Sequence, residues 1–371
     1  MNTATPAAAA SLAAPRLAAP RLDVRSLSTS FATEGGRIQS VSDVSFQILP
    51  GQTLALVGES GSGKSVTSLS LMGLHAKTSQ AQVQGQAQFV QRDGRTVDLL
   101  SLDAKSLRAL RGNELAMVFQ EPMTSLNPVL TVGEQIAESV RLHKGLGKAA
   151  ALAHAQRMLE LVEIPAAAQR VHEYPHQLSG GMRQRVMIAL AMACDPSLLI
   201  ADEPTTALDV TIQAQILALM GRLQKETGMS ILFVTHNLGV VAQYADAIAV
   251  MYAGRIVETA SVHALFAAPQ HPYTQGLLGC LPGMARQREL AEAAALRAGG
   301  KPAFVGRRLD AIPGQVSSPL SPPPGCAFAP RCSKRLNACE QAMPGLETWR
   351  TGNDTQPSER QVRCIRAGEA A

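Results

Sequence analysis

The chain has 371 residues, of which 46% are hydrophobic, and this apolar content is enough for a substantial buried core. A wholly disordered protein is therefore excluded. The net charge is +5, but the 34 basic residues are scattered among 29 acidic ones. This charge is weak evidence for nucleic acid and is equally compatible with an anionic membrane surface or a phosphate ligand. No run of about eighteen apolar residues occurs, so nothing in the chain spans a bilayer by itself.

Residues 1–20 are rich in Ala and Pro, and they lack the basic start and compact apolar run of a secretory signal. We predict a disordered tail there; a targeting peptide is the alternative. In the absence of an export signal we expect the cysteines to lie in a reducing cytosol, where structural disulfides are rare.

The next segments predict a mixture of small sheets, strands and helices. Residues 22–48 alternate between apolar and polar, which predicts a small antiparallel sheet with a turn at Gly35 and Gly36. "QTLALV", ending at Val57, is typical of a buried strand. Residues 103–177 have apolar side chains at intervals of three and four, which indicates a helical insertion.

Buried strands return in the second half of the chain. "SLLIAD" (197–202) and "SILFVTH" (230–236) flank a helical stretch at 212–225, and this alternation predicts a parallel sheet. "AVMYAGRIVETA" (249–260) predicts a hairpin. The composition then shifts toward Ala, Arg, Pro and Cys, so we predict a domain boundary near residue 270.

"GESGSGKS", residues 58–65, fits the phosphate-binding pattern GxxxxGK[ST], with a predicted strand before it and a predicted helix after it. Its glycines let backbone amides curve around phosphate oxygens, and the helix N-terminus adds positive charge. We expect Lys64 to reach the β and γ phosphates and Ser65 to bind Mg²⁺. The predicted ATP-binding residues of this loop are Gly58, Glu59, Ser60, Gly61, Ser62, Gly63, Lys64 and Ser65.

"SLLIADEP" places two carboxylates at the end of an apolar strand. We expect Asp202 to hold Mg²⁺ through water, and Glu203 to orient or deprotonate the attacking water. Such a pair taken alone is often a solvated strand end. The phosphate loop favours the catalytic interpretation.

"QLSGGMRQRV" resembles the signature of the ATP-binding cassette (ABC) family, LSGGQ followed by a basic helix, with Met182 in place of the usual Gln. Ser179, Gly180 and Gly181 can present a hydroxyl, backbone amides and a helix N-terminus to an anion. In that family the signature acts in trans on the γ phosphate bound by the opposite subunit. The resemblance therefore implies a dimer of cassettes, with a second copy or a related subunit.

The same resemblance carries over residue by residue to three more positions, and the family's use of an aromatic adenine platform suggests a candidate for a fourth. Gln120 matches the Q-loop glutamine, which touches Mg²⁺ and senses the membrane partner. Asp209 matches the D-loop, and His236 matches the switch histidine that contacts the γ phosphate. Phe31 is the candidate for stacking the adenine, with Phe46 as the alternative. Without the family, each of these would be interpreted as a structural or surface residue.

"FQEPMTSLNPVLTVGEQI", "DEPTTALDVTIQAQIL" and "HPYTQGLL" resemble the ATPase subunits of oligopeptide, dipeptide and nickel importers. This implies an α/β fold: a P-loop cassette (21–270) with a mixed core sheet, an antiparallel β subdomain and a helical subdomain (103–195), followed by a cysteine-bearing C-terminal region (271–371). It also implies a heterodimer with a related ATPase on two transmembrane permeases, fed by an extracytoplasmic binding protein. The chain would lie peripherally on the cytoplasmic face of the inner membrane.

The predicted activity is ATP hydrolysis that powers the import of di- or oligopeptides, with nickel or another small solute as the alternative cargo. A soluble ABC ATPase of DNA maintenance is a second alternative. Lys64 and Asp202 are 138 positions apart with no heptad run between them, which favours a transporter and no nucleic-acid partner. A cassette that binds ATP without hydrolysing it usually loses the glutamate, the histidine or the signature, and all of these are present here.

Four of the six cysteines lie between residues 326 and 364, separated by five, six and twenty-four residues: Cys326, Cys332, Cys339 and Cys364. Four thiolates can bind Zn²⁺ or an iron–sulfur cluster, and zinc sites usually draw on closer pairs. The resemblance to the peptide importers implies a [4Fe–4S] cluster, whose negative charge Arg331, Lys334 and Arg335 would offset. Zn²⁺ is the alternative.

Overall fold

The computed structural model describes residues 19–206, 208–281, 312–349 and 360–368. Residues 1–18 of the predicted tail lie outside these ranges. Across the described residues, no helix combines the length and apolar character needed to cross a membrane.

The secondary structure alternates between strands and helices along the chain. The strands are β1 (Leu22–Thr33), β2 (Gly36–Ile48), β3 (Thr53–Val57), β4 (Gln82–Val90), β5 (Thr96–Asp98), β6 (Leu115–Val118), β7 (Leu198–Asp202), β8 (Ser230–Thr235), β9 (Ala247–Tyr252), β10 (Arg255–Ser261), β11 (Glu347–Trp349) and β12 (Arg360–Val362). The helices are α1 (Lys64–Met72), α2 (Ala104–Leu110), α3 (Pro122–Ser125), α4 (Val132–Lys144), α5 (Lys148–Leu161), α6 (Ala167–Arg170), α7 (Gly180–Met192), α8 (Val210–Thr227), α9 (Leu238–Tyr244), α10 (Val262–Ala267), α11 (Pro272–Gly279) and α12 (Ala338–Gln341).

One sheet is antiparallel, with the strand order β2-β1-β4-β5. β1 and β2 form a hairpin that turns at Glu34 and Gly35, and its last pair joins Thr33 to Gly36. Alternate side chains of β1 and β2, such as Val24 and Phe46, are buried in one core. The predicted antiparallel sheet is confirmed, and its turn lies one residue earlier than predicted, because Gly36 already pairs with Thr33 in β2.

The second sheet is mixed, with the strand order β11-β12-β10-β9-β3-β8-β7-β6. β9, β3, β8, β7 and β6 run parallel to one another. Every residue of β3, β7 and β8 is buried, because helices or the antiparallel sheet cover both faces. The parallel strands end at the same edge, so the segments that follow β3, β7 and β8 meet there.

The helical part is built from α2 to α7, with β6 between α2 and α3. Thr131 caps the N-terminus of α4, where its hydroxyl accepts the N–H of Glu134. The helix buries Val132, Ile136 and Val140 at helical spacing. α4 packs on α5, and both pack on α7. The predicted helical insertion between strands is confirmed.

The C-terminal region is joined to the core sheet. β12 pairs with β10 at Glu258↔Val362, and β11 pairs with β12. Phe328 packs in the same apolar core as Tyr252 of β9 and Tyr273 of α11. Packing therefore continues across the boundary that the sequence predicts near residue 270, and the domain limits themselves stay a prediction.

Candidate nucleotide-binding and hydrolysis site

The phosphate loop lies between β3 and α1, and two of its glycines are required by close backbone contacts. A Cβ atom at Gly58 would lie 2.2 Å from the carbonyl oxygen of Met251. Gly63 has a φ of +98°, and its Cβ would lie 2.6 Å from the carbonyl oxygen of Ser40. Larger side chains at either position would move the loop away from β9 or β2. α1 begins at Lys64, so its N-terminal amides face the loop.

Lys64 forms hydrogen bonds within the phosphate loop, and Ser65 connects the loop to Asp202 at the end of β7. Lys64 Nζ donates to the carbonyl oxygens of Gly58 (2.9 Å) and Glu59 (3.0 Å). Ser65 Oγ donates to Asp202 Oδ1 at 3.1 Å across 137 positions of sequence. Burial lowers the pKa of Lys64 and raises that of the Asp202 carboxyl to about 6, a rise that the hydrogen bond from Ser65 opposes. A hydroxyl and a carboxylate, the oxygen ligands that Mg²⁺ prefers, are thus adjacent.

Glu203 is the centre of a second group at the end of β7. Its Oε2 accepts hydrogen bonds from Gln120 Nε2 (3.2 Å) and Thr206 Oγ1 (2.9 Å). Its Oε1 lies 3.3 Å from Nδ1 of His236, which follows β8. Glu203 has a φ of +46°, a conformation that is uncommon outside glycine and is concentrated at functional sites. Two segments distant in sequence, which carry Gln120 and His236, therefore converge on one carboxylate together with the nearby Thr206.

A cavity of about 810 Å³ lies over the phosphate loop, within the range of roughly 300–1,000 Å³ that is usual for small-molecule sites. The predicted residues that line it are Gly58, Glu59, Ser60, Gly61, Gly63, Lys64, Ser65, Gln120, Glu203 and His236. Ser62 is buried in the loop, and Asp202 is reached through Ser65. Sequence reasoning missed the other lining residues, which are Ser40, Val57, Val66, Thr206, Leu238 and Leu277. The sequence could have indicated Thr206, because it is a hydroxyl residue three positions after Glu203.

Phe31, the candidate adenine platform, does not line this cavity. Its ring meets the His75 ring edge to face, with centroids 5.2 Å apart. His75 is in turn hydrogen-bonded to Ser70 Oγ at 2.8 Å. The assignment of Phe31 to adenine binding stays a prediction. Phe46 is buried in the core beneath the antiparallel sheet.

The signature and D-loop residues lie outside the cavity of their own chain. Ser179 is the N-cap of α7, and its hydroxyl accepts the N–H of Met182 at 3.3 Å. Asp209 is the N-cap of α8 and accepts the N–H of Ile212 at 2.9 Å. A Cβ atom at Gly181 would lie 3.0 Å from Ile212 Cγ2, so the two helix N-termini are close together. Ser179, Gly180 and Asp209 are exposed to solvent.

The C-terminal cysteines line one small cavity of about 20 Å³: Cys326, Cys332, Cys339 and Cys364. The backbone brings them together, because the N–H of Cys326 donates to the carbonyl oxygen of Cys339 at 2.7 Å. Arg366 N donates to Cys364 Sγ at 3.4 Å. Burial raises the pKa of Cys326 and Cys332, and that of Cys364 to about 11.

The four thiols have the chemistry of a zinc or iron–sulfur site, but their present spacing does not form one. Throughout the part of the chain that the structure describes, no group of three or more His, Cys, Asp or Glu side chains is arranged to hold a metal ion. The sulfurs would have to draw together, and the raised pKa values mean that metal binding would release protons.

The site combines a phosphate loop after a parallel strand, two carboxylates at the end of a second strand of the same sheet, and a glutamine and a histidine on the second carboxylate. These features define a P-loop nucleotide-hydrolysing enzyme. The ABC transporter family model matches residues 41–206, and the model for the oligopeptide/dipeptide transporter C-terminal region matches residues 257–299 and 296–339.

Curated relatives match nearly the whole chain. A putative peptide import ATP-binding protein of Brucella melitensis is 50% identical over 94% of this chain and 98% of its own length. The dipeptide transport ATP-binding protein DppD of Bacillus subtilis is 47% identical over 90% of this chain and 92% of its own length. Among solved structures, a dimeric ATP-binding cassette in a post-hydrolysis state bound to ADP and Pi is 25% identical, with a TM-score of 0.57, and covers 65% of this chain and 98% of that one.

This chain therefore belongs to the ABC transporter family, among the ATP-binding proteins that carry the oligopeptide/dipeptide transporter C-terminal region. It is an ABC ATPase that uses ATP and Mg²⁺. The family and the cassette fold, both expected from the motifs, are confirmed.

Proposed function

We propose that the chain is the ATP-hydrolysing subunit of an importer of di- and oligopeptides. The observation that carries this proposal is the convergence of Gln120, Thr206 and His236 on Glu203, beside the Lys64 and Ser65 end of the same cavity. Peptide is the preferred cargo because the C-terminal region matches that of oligopeptide and dipeptide transporters and several relatives are named for peptide import. Nickel or another small solute is the alternative cargo.

The roles follow from the positions of the side chains. The amides of residues 58–65 and Lys64 would bind the phosphates, while Ser65, Asp202 and Gln120 would hold Mg²⁺, which neutralises charge on the phosphates when bound. Glu203 would orient the attacking water and accept its proton. His236, on the other side of that carboxylate, would contact the γ phosphate. We assign adenine stacking to Phe31, which requires the hairpin that carries it to move toward the cavity, because its ring now contacts His75.

A complete site would need a second cassette. Ser179, Gly180, Gly181 and Asp209 lie outside the cavity of their own chain, and Ser179 and Asp209 are exposed helix caps. Exposed helix N-termini are suited to binding an anion held by another subunit. We therefore assign these residues to the γ phosphate and the interface of the opposite cassette, in a heterodimer with a related ATPase.

ATP binding would close this pair of cassettes, and hydrolysis would reopen it. We propose that the closing motion reorients two transmembrane permeases that receive peptide from an extracytoplasmic binding protein. The chain itself would be attached peripherally at the cytoplasmic face of the inner membrane. Within it we assign residues 21–270 to the cassette, with the helical subdomain at about 103–195, and 271–371 to the C-terminal region.

The transport assignment predicts which proteins accompany the chain. A tagged full-length chain, recovered from detergent-solubilised membranes, is expected to bring down two permeases and a sister ATPase, because the exposed signature needs a partner cassette. Mass spectrometry of the recovered complex is the measurement. Uptake of a labelled dipeptide, but not of nickel, should then be lost in cells that express Lys64→Ala.

Two results would contradict this assignment. Stoichiometric binding to DNA ends without recovery from membranes would favour a DNA-maintenance ATPase, which would need the nucleic-acid contact that we do not propose. Loss of nickel uptake with normal dipeptide uptake would support the ATPase role but would identify nickel, and not peptide, as the cargo.

We further propose that Cys326, Cys332, Cys339 and Cys364 bind one [4Fe–4S] cluster, with Zn²⁺ as the alternative. The support is their shared cavity, the backbone N–H on Cys364 Sγ, and the cationic Lys334 and Arg366 that line the same cavity. Arg335 pairs instead with Glu340, and Arg331 pairs with Glu59. The four thiols do not line the nucleotide cavity, so we assign their site a structural or regulatory role.

Anaerobic purification tests the cluster. We expect brown protein with about four iron and four sulfide per chain, and Cys332→Ser should lose both, because such a cluster is held by four thiolates. Iron, sulfide and zinc assays with visible absorption are the measurements. Cys194→Ser, at a buried cysteine outside the cavity, should retain the full iron content. Colourless protein with about one zinc per chain would instead identify a tetrahedral zinc site.

A further inference from the structure

The phosphate loop contacts directly the segment that carries the first three C-terminal cysteines, residues 326–339, which we call the cysteine region. Glu59, the second residue of the loop, forms a two-pronged ion pair with Arg331: Nη1 lies 2.8 Å from Oε2, and Nη2 lies 3.2 Å from Oε1. The Arg331 side chain is 6% exposed and that of Glu59 is 28% exposed. A paired guanidinium and carboxylate in this geometry is stronger and more directional than a surface ion pair.

Arg331 is itself held in place from several sides. Its Nε donates to the carbonyl oxygen of Pro313 at 2.9 Å, and Nη2 donates to that of Ile312 at 3.3 Å. Nη1 also donates to the Tyr252 hydroxyl at 3.3 Å, and the guanidinium lies 5.8 Å from the centroid of the Tyr252 ring. These contacts therefore orient the Arg331 guanidinium, and its side chain loses little rotamer freedom when it pairs with Glu59.

A second contact from the same side fixes the backbone of the loop. The N–H of Glu59 donates to the Tyr273 hydroxyl at 3.0 Å. Tyr273 packs against Tyr252 and against Phe328 of the cysteine region, with ring centroids 4.6 and 5.4 Å away. Both the backbone and the carboxylate of Glu59 are thus held by one aromatic and cationic group.

We propose that Arg331 is a positioning residue for ATP binding: it neutralises and immobilises Glu59, so that the phosphate loop can accept a triphosphate. Glu59 lines the nucleotide cavity, where an unpaired carboxylate would repel the phosphates. Cys332 follows Arg331 at the end of the same single turn of 3₁₀ helix, and its N–H donates to Ala329. The cysteine region therefore contributes to the nucleotide site through Arg331. The inference rests on the proposed role of residues 58–65 in phosphate binding.

Binding of the Mg²⁺ complex of a non-hydrolysable ATP analogue to the full-length chain, measured by calorimetry, is the direct test. Arg331→Gln is expected to raise Kd about tenfold, because Glu59 is left charged beside the phosphates. Glu59→Gln in the Arg331→Gln background should bring Kd back to within about threefold of the wild type. In ATPase assays the single variant should raise KM more than it lowers kcat. Arg335→Gln, in an exposed ion pair of the same region, should leave Kd unchanged.

Kd is compared under conditions in which urea unfolding shows every variant to be fully folded, so a raised Kd reports positioning and not loss of folded protein, and the rescue shows that the charge of Glu59 causes it. An unchanged Kd in Arg331→Gln, or a raised Kd that Glu59→Gln does not restore, would overturn the inference. Lys64→Ala tests the assignment beneath it. If Lys64→Ala binds the analogue normally, the phosphate-loop assignment itself fails; if it loses binding while Arg331→Gln does not weaken it, only the present inference fails.

Discussion

Replacement of Glu203 by Gln is expected to lower the steady-state ATPase rate of the assembled transporter at least about 100-fold, while ATP binding is retained. The amide keeps the size of the carboxylate and can still accept a hydrogen bond from Thr206. It cannot accept a proton from water or carry the negative charge that now faces Gln120 and His236. Phosphate release from the purified complex measures the rate, and calorimetry with Mg²⁺–ATP measures binding.

Glu226→Gln is the matched control, because it makes the same chemical change on α8, where the side chain is 54% exposed and its nearest pairing atom, Arg222 Nε, lies 3.9 Å away. Its ATPase rate should equal that of the wild type. Wild-type activity in Glu203→Gln would show that this carboxylate is not the base, and loss of ATP binding would show that it acts in binding.

The hydrolytic group was accessible to sequence reasoning because its parts are short and follow strands. The glycines of residues 58–65 follow β3, Glu203 follows β7 and His236 follows β8; in a parallel sheet the ends of such strands meet at one edge. The periodicity of residues 103–177 likewise indicated the helices. Local pattern was sufficient to identify residues 58–65 and Glu203, whereas His236 was identified through the resemblance to the ABC family.

The contacts of Glu59 could not be predicted in the same way. Arg331 lies 272 positions away, and its own sequence neighbourhood points to the cysteines. Their pairing depends on how the C-terminal region packs on β9 and α11, which no local pattern specifies. The surroundings of Phe31 could not be predicted either: its ring contacts His75, because the direction of a side chain on a twisted antiparallel sheet depends on register and not on its distance from the loop in sequence. Its role in adenine binding stays a prediction.

A buried ion pair attaches the C-terminal residues to the cassette. Glu258 of β10 is 0% exposed, Arg360 of β12 is 4% exposed on its side chain, and Nη2 lies 2.9 Å from Oε1. The Glu258 carboxylate also accepts the N–H groups of Gln270 and His271, each at 2.9 Å. The N–H of His271 gives the "HPY" segment (271–273) a structural role, because it donates to the buried Glu258 carboxylate. Together with Arg360, the N–H groups of Gln270 and His271 give the buried carboxylate three hydrogen-bond donors from the protein.

We expect Arg360→Met to lower the free energy of unfolding by about 3–5 kcal/mol, because it leaves the Glu258 carboxylate buried without its counter-charge. Urea unfolding of the full-length chain, followed by circular dichroism, is the measurement. Arg222→Met removes an exposed pair with Glu163 and should cost less than about 1 kcal/mol. Arg360→Met combined with Glu258→Gln should recover much of the loss, since the remaining side chain is neutral and still accepts a backbone N–H. A double variant no more stable than Arg360→Met would mean that the loss comes from packing of the arginine and not from the uncompensated charge.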